Sequence, residues 1–346
     1  MTIKCISPID GSIYAERPTL SRSDADAAVT RAKIAQKKWN MHPIKERIEL
    51  VKAGVAAIGA MNAEIVPEIA WQMGRPIRYG GEFGGFNERA SYMADIAIDA
   101  LAPIEIENSD NFRRVIKRVP HGLVLVVAPW NYPFMTAINT IAPALIAGNA
   151  VMLKHASQTP LVGERLAKAF HSVGIPRDVF QNVFLDHDTT SGLISDRAFN
   201  FINFTGSVGG GIAMEKAAAG TFTGIGLELG GKDPGYVMED ANLDSAVETL
   251  IDGAMFNSGQ CCCGIERIYV VESLFNDFIK KAVAIVNQYK LGNPLDPETT
   301  IGPMAHVRFA DEVRAQTQEA IKDGAKAHID PCLFPMDDGA YLMPQI

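Results

Sequence analysis

Six consecutive apolar residues, Leu123-Val124-Leu125-Val126-Val127-Ala128, constrain this chain more than any other stretch. A strand with one face in water alternates polar and apolar side chains, whereas a strand covered by helices on both faces reads as a continuous apolar run. The run therefore predicts a parallel sheet sandwiched between helices, and the residues after it keep the rhythm. A helix over about Thr136 to Ala147 stops at Gly148-Asn149, and Val151-Met152-Leu153 is a second short strand. Pro160 suits the first turn of a helix that ends by Gly174. Val183-Phe184-Leu185 and Phe201-Ile202-Asn203-Phe204 are further strands, the latter leading through Thr205-Gly206-Ser207 into a helix that stops at Gly220. Strands and helices alternating in this way make an open, doubly wound α/β sheet, whose ligand belongs at the carboxyl ends of the strands.

The residues before this sheet read as a lead-in over 1–22, with Asp10-Gly11 as a turn, then a helix capped by Ser23 and running to about Trp39. A second helix starts at Ile44, and Pro67 and Gly74 punctuate a third. Gly80 to Gly85 reads as a helix-breaking turn, because no buried strand precedes it and no Gly-Lys-Ser/Thr follows to make a phosphate cradle. Residues 104–118 alternate weakly and are rich in charge, which suits an exposed two-stranded ribbon. From Leu229 a second α/β unit is expected. Its strands lie near Gly235 to Met238 and Arg267 to Val271, and its helices near Leu243 to Asn257, Ser273 to Tyr289 and Ala305 to Lys322. The division expected is thus 1–228 and 229–346.

A net charge of −8 and the lack of a basic stripe argue against nucleic acid or an anionic membrane as partner. No apolar run approaches the ~18 residues of a membrane helix, and the first residues lack the apolar core of a signal peptide. A cytoplasmic setting is expected. Five cysteines, three of them adjacent, do not make a disulfide framework.

Those three thiols sit in Phe256-Asn257-Ser258-Gly259-Gln260-Cys261-Cys262-Cys263. Metal ligation is one reading, but it calls for converging side chains. Adjacent cysteines are expected to point apart, so no metal is assigned. Small buried hydrophobes are the second reading, applied to Cys261 and Cys263. A nucleophile is the third, applied to one of the three, provided its thiolate is favoured or a base stands nearby.

The octet resembles the active-site signature of the aldehyde dehydrogenase superfamily, whose nucleophile is the second residue after Gly-Gln, here Cys262. Leu227-Glu228-Leu229-Gly230-Gly231-Lys232 resembles the family's second signature, and the 34 residues from Glu228 to Cys262 match the family separation. The resemblance covers nearly the whole chain. It implies an NAD(P)-binding domain over 1–228, with 104–118 as an oligomerisation ribbon, and a catalytic domain over 229–346.

The resemblance also implies roles for particular residues. Cys262 adds to an aldehyde, hydride passes to a nicotinamide, and the thioester is hydrolysed. Asn131 in Pro129-Trp130-Asn131-Tyr132-Pro133 matches the oxyanion donor, although a residue between two prolines also reads as a turn former. Glu228 matches the general base. Its apolar neighbours suggest partial burial, and a surface or ion-paired carboxylate is the plain alternative. Pro129, Trp130, Lys154, Ser157, Gly206, Ser207, Gly211 and Leu229 are the cofactor candidates. The turn Gly206 to Gly211 lies between a strand and a helix, but alone it does not specify a dinucleotide.

Ser157 stands where NAD-selective relatives often carry glutamate, so NADP as well as NAD is expected to be accepted. His155 reads as a neutral loop histidine. Several segments resemble the succinate-semialdehyde branch, such as Leu153-Lys154-His155-Ala156 and Gly302-Pro303-Met304-Ala305. The partner expected is therefore a small-molecule aldehyde, and the assembly a homo-oligomer. A dicarboxylic product calls for an anion-binding group such as arginine, and spacing places none.

The family pattern departs at the end. Relatives continue with a Glu-Glu-Ile-Phe-Gly-Pro-like segment that holds the nicotinamide ribose, and this sequence stops before it. The catalytic domain is thus expected to be incomplete, with exposed apolar surface and an unpaired sheet edge. A non-catalytic cofactor-binding or scaffolding remnant is the alternative reading. Acylation of coenzyme A is a third, disfavoured by the intact Glu228.

Overall fold

The computed structural model describes residues 1–107 and 111–346. Its strands are β1 (Thr2–Ile6), β2 (Ile13–Pro18), β3 (Ile104–Glu105), β4 (Val115–Ile116), β5 (Leu123–Ala128), β6 (Ala150–His155), β7 (Phe180–Asn182), β8 (Phe201–Thr205), β9 (Gly224–Glu228), β10 (Asp233–Val237) and β11 (Ile265–Val270). Its α-helices are α1 (Arg22–Trp39), α2 (Ile44–Ala60), α3 (Asn62–Met73), α4 (Phe83–Ala100), α5 (Pro133–Ile146), α6 (Pro160–Ser172), α7 (His187–Ser195), α8 (Val208–Ala218), α9 (Leu243–Met255), α10 (Glu272–Val286) and α11 (Val307–Lys322).

Two compact units emerge, and they are not contiguous in sequence. One comprises 1–3, 16–63 and 82–229; the other comprises 4–15, 64–81 and 230–346. Residues 4–15 and 64–81 thus leave the amino-terminal half to which a single cut at 228 assigns them. A linear reading cannot show such an exchange, because these segments carry the same helix and turn signals wherever they pack.

The first unit is built on an all-parallel five-stranded sheet of order β7-β6-β5-β8-β9. All six residues of β5 are buried, as its unbroken apolar run requires. On one face Leu123, Leu125, Met152 and Ile202 pack with Ala25, Ala28, Ala32, Leu193 and Met214 from α1, α7 and α8. The alternate residues Val124, Val126, Val151 and Leu153 point to the opposite face. Chain order runs outward from β5 through β6 to β7, then returns to β8 on the other side of β5. The direction of winding reverses there, which opens a crevice at the carboxyl ends of β5 and β8.

Several elements differ from expectation. The cap of α1 is Ser21, whose Oγ accepts from the Asp24 N–H at 3.1 Å; both Ser21 and Ser23 precede acidic residues, and only the fold selects one. The segment 183–185 lies just past β7, which occupies 180–182 instead. Helices α4 and α7 were not foreseen, and Gly84 and Gly85 lie inside the first turn of α4. In the ribbon, β3 and β4 pair antiparallel, with Ile104 opposite Ile116; residues 108–110 lie outside the described residues.

The second unit pairs β10 with β11 in parallel. Val237, Val247, Ile251, Phe278, Ala282 and Val286 form its core, with α9 and α10 supplying most of it. Among the described residues the pair has no third strand, and Tyr236, Met238 and Tyr269 on or beside it are exposed. No single helix among the described residues is long and apolar enough to cross a membrane.

Candidate active site

In the first unit, the carboxyl edge of the sheet gathers most of the candidates. Pro129, Trp130 and Asn131 follow β5 directly and are half-buried. Asn131 Oδ1 accepts from the Tyr132 N–H at 3.0 Å, so the side chain is oriented by its own turn. The turn-forming reading of Asn131 is thus seen in its own hydrogen bond, at a position beside the crevice. Lys154, at the end of β6, is half-buried; burial pushes its ammonium down, and Asp186 opposes that shift. Ser157 lies exposed in the turn that follows. Glu228 closes β9 opposite Thr205 of β8, and it is exposed, so the expected partial burial is not found. Its position at the last rung, where the flanking strand ends, leaves the side chain in solvent.

The glycine turn fits a diphosphate. A Cβ at Gly206 would meet the Phe204 ring at 2.7 Å, one at Gly210 would meet it at 2.4 Å, and one at Gly211 would meet Leu229 at 2.8 Å. At Gly209 an added Cβ meets nothing within 4 Å. The turn thus lies flat on Phe204 and Leu229, and its outer face is bare backbone. Ser207 caps α8 by accepting from the Gly210 N–H at 3.2 Å, and the first amides of α8 offer the positive helix end on which phosphate settles. The Gly206 N–H donates to the Glu228 carbonyl at 3.0 Å, which ties this turn to the end of β9.

His155 is buried at the end of β6, with Nε2 3.2 Å from the Pro133 carbonyl and Nδ1 3.2 Å from Thr159 Oγ1. Burial pushes its pKa down to about 4, so it is a neutral structural histidine.

In the second unit the cysteine octet forms a turn rather than a strand. Asn257 and Ser258 adopt left-handed backbone (φ 55° and 57°), and Gly259 follows at φ 74°. Such a run is held only when its surroundings fix it. Arg75 Nε donates to Asn257 Oδ1 at 3.1 Å, Ser258 Oγ donates to the Gly302 carbonyl at 2.9 Å, and Gln260 Oε1 accepts from the Ala305 N–H at 2.8 Å. Gln260 is therefore a buried strut, a role the sequence reading did not give it.

Cys262 and Cys263 are exposed and Cys261 is half-buried, so the flanking cysteines are not core residues. Nor do the thiols diverge. Their sulfurs lie within 4.8 Å of one another, because the Gly264 N–H donates to the Cys261 carbonyl and folds the triplet into a tight turn. Cys261 and Cys263 sulfurs are 3.3 Å apart, and this contact with Cys261 pushes the Cys263 thiol up to about 11. Gly231, from the second signature, abuts the same turn: a Cβ there would come within 2.9 Å of the Cys262 carbonyl oxygen.

A family model described as the aldehyde dehydrogenase family matches residues 1–346. The chain belongs to the aldehyde dehydrogenase family. It is 33% identical over 323 residues to the 3,6-anhydro-alpha-L-galactose dehydrogenase of Vibrio sp. (strain EJY3), covering 93% of this chain and 67% of that protein. It is 28% identical over 342 residues to the succinate-semialdehyde dehydrogenase [NADP(+)] of Deinococcus radiodurans, covering 99% and 71%. Among solved structures, the NADP-dependent glyceraldehyde-3-phosphate dehydrogenase from Bacillus halodurans C-125, complexed with NADP, superposes with a TM-score of 0.91 at 28% identity, covering 100% of this chain and 72% of that one. This aldehyde dehydrogenase is accordingly an oxidoreductase of the type that oxidises aldehydes with NAD or NADP.

One further residue of this aldehyde dehydrogenase escaped the sequence reading. Glu82 precedes α4 in left-handed backbone (φ 66°), and its Oε2 accepts from the N–H groups of Phe134 and Met135 at 3.2 and 2.8 Å. It thereby caps α5, the helix that begins beside Asn131. The apolar spacing of Phe83, Phe86, Ala90, Ala94 and Ala97 carries the signal for α4, and the glycines around Glu82 obscured it.

Proposed function

We propose that the chain oxidises a small aldehyde of the semialdehyde type to its carboxylic acid, with Cys262 as nucleophile, Asn131 as oxyanion donor and Glu228 as base. The observation that carries this reading is the close approach of Gly231, from the second signature, to the Cys262 carbonyl within one unit. Cys262 is exposed and therefore open to a carbonyl carbon. Its thiolate adds to the aldehyde, and stabilising the oxyanion so formed is the role this reading gives the Asn131 amide. The bound nicotinamide supplies the hydride acceptor. Loss of hydride leaves a thioester on Cys262, and Glu228, at the solvent-facing end of β9, takes a proton from the water that hydrolyses it.

Lys154 and the turn Gly206–Gly211 hold the ribose and diphosphate in this reading, beside Pro129, Trp130, Ser207 and Leu229. Exposed Ser157 carries no negative charge to repel a 2′-phosphate, which supports acceptance of NADP. The succinate-semialdehyde preference draws support from the Deinococcus relative, whose name specifies NADP. Assembly into a homo-oligomer through the 104–118 ribbon belongs to the same proposal, and Ile104, Ile106, Phe112 and Ile116 there are exposed apolar residues.

The test is the absorbance of reduced nicotinamide with succinate semialdehyde and other small aldehydes, with NAD and NADP in parallel and cofactor-induced thermal shifts alongside. Turnover with NADP is expected. Cofactor binding without turnover on any aldehyde would favour the non-catalytic reading, and strong selectivity for NAD would refute the argument from Ser157.

A further inference from the structure

Three consecutive cysteines along a flat strand would send the middle thiol to the opposite face. Here the turn closed by the Gly264 N–H on the Cys261 carbonyl keeps all three sulfurs within 4.8 Å of one another, and the Cys261 and Cys263 pair at 3.3 Å. Two of the three side chains are exposed and the third is half-buried, so an ion arriving from solvent reaches them without unfolding the turn.

We propose that Cys261, Cys262 and Cys263 form a binding site for a thiophilic cation of the Zn²⁺ type, held by three thiolates with a fourth position open to water. Zinc–sulfur bonds of about 2.3 Å in tetrahedral geometry place sulfurs about 3.8 Å apart, which lies within the spread of this cluster. Small side-chain rotations therefore suffice to close the site, and the backbone struts at Asn257, Ser258 and Gln260 stay in place. Thiolates select Zn²⁺ over hard cations such as Mg²⁺ or Ca²⁺. A bound ion takes the Cys262 sulfur out of reach of a carbonyl carbon, so occupancy reversibly silences the enzyme. That last consequence rests on Cys262 being the nucleophile; the binding itself does not.

Titration of the reduced full chain with Co²⁺ tests the site, because thiolate ligation gives a sulfur-to-metal charge-transfer absorption. One equivalent is expected, displaced by Zn²⁺. Cys261→Ser and Cys263→Ser are each expected to weaken binding by more than about tenfold, since even losses outside the ligand set cost about 10- to 100-fold. Cys332→Ser is expected to leave the signal unchanged. Absence of the charge-transfer band in the wild-type protein, or wild-type affinity in both Cys261→Ser and Cys263→Ser, overturns the proposal. Circular dichroism checks that each variant folds. Should one fail to fold, alkylation of the wild-type thiols with iodoacetamide gives the same decision: loss of the Co²⁺ signal supports the site and its persistence sinks it. A metal-free burst of reduced nicotinamide separates the two readings. A Cys262-dependent burst with no Co²⁺ band sinks only the metal site, whereas a Co²⁺ band with no such burst sinks only the nucleophile.

Discussion

Gly231 stands so close to Cys262 that a Cβ on the glycine would lie 2.9 Å from the cysteine's carbonyl oxygen. The obstacle is backbone, which cannot swing aside as a side-chain tip would. Gly231→Ala is therefore expected to displace the Cys262 turn while leaving the bulk of the core untouched. Misplacement of about 1 Å is enough to cost about 10²-fold in rate. Burst kinetics and the rate of iodoacetamide labelling at Cys262 measure the displacement; unchanged values for both would show that the turn absorbs the methyl group.

Glu228→Ala is expected to spare the first burst of reduced cofactor and to slow later turnover by about 10²- to 10⁴-fold, the usual contribution of a positioned base. Asn131→Ala is expected to behave differently, slowing the burst itself by about 10²-fold. Stopped-flow absorbance distinguishes the two phases, and equal effects of both variants on the burst would contradict the division of labour.

His155 predicts an acid-side loss of stability. Its folded pKa of about 4 lies below the ordinary value of 6.5, so the unfolded chain binds the extra proton first. Stability is whole above about pH 6.5 and falls as pH drops toward 4, by an order-of-magnitude figure of about 3 kcal/mol from this residue. Denaturant melts of the wild type and His155→Gln between pH 7 and 4.5 measure it. Parallel curves for the two proteins would remove His155 as the cause.

Glu82 joins the start of α4 to the start of α5 through its carboxylate. Loss of a helix cap typically costs about 1 kcal/mol, so Glu82→Ala is expected to lower stability by that amount, read from the denaturation midpoint. Because α5 begins beside Asn131, the variant is also expected to lower the burst rate. A midpoint equal to that of the wild type would mean that other groups cap α5.

The parts of this architecture visible in the sequence are those where one local signal has one meaning. The run 123–128 is buried on both faces because nothing in it tolerates water, and Gly148 and Gly220 end helices as read. Where two local choices are equivalent, as with Ser21 and Ser23, position depends on packing. The start of α4 was hidden because Gly84 and Gly85 favour a turn taken alone, while the periodic Phe86, Ala90, Ala94 and Ala97 are on a helix that packs against α2 and α5. At the site, Cys262, Glu228 and Asn131 stand out in the sequence only through the resemblance of their segments to those of the aldehyde dehydrogenase family. The convergence of the three thiols is not legible there, since it depends on the turn closed by the Gly264 N–H, which follows left-handed Asn257 and Ser258, conformations that neither residue requires.

Those two residues settle how far the reactive octet can travel. Its shape is imposed by Arg75, Gly302 and Ala305, which are distant in sequence from the cysteines they hold in place. Transplanted without these supports, the same eight residues would lose the bonds that hold Asn257, Ser258 and Gln260 in place. The shape of the turn is thus borrowed from remote scaffolding, and a protein designer copying the motif would have to copy its buttresses too.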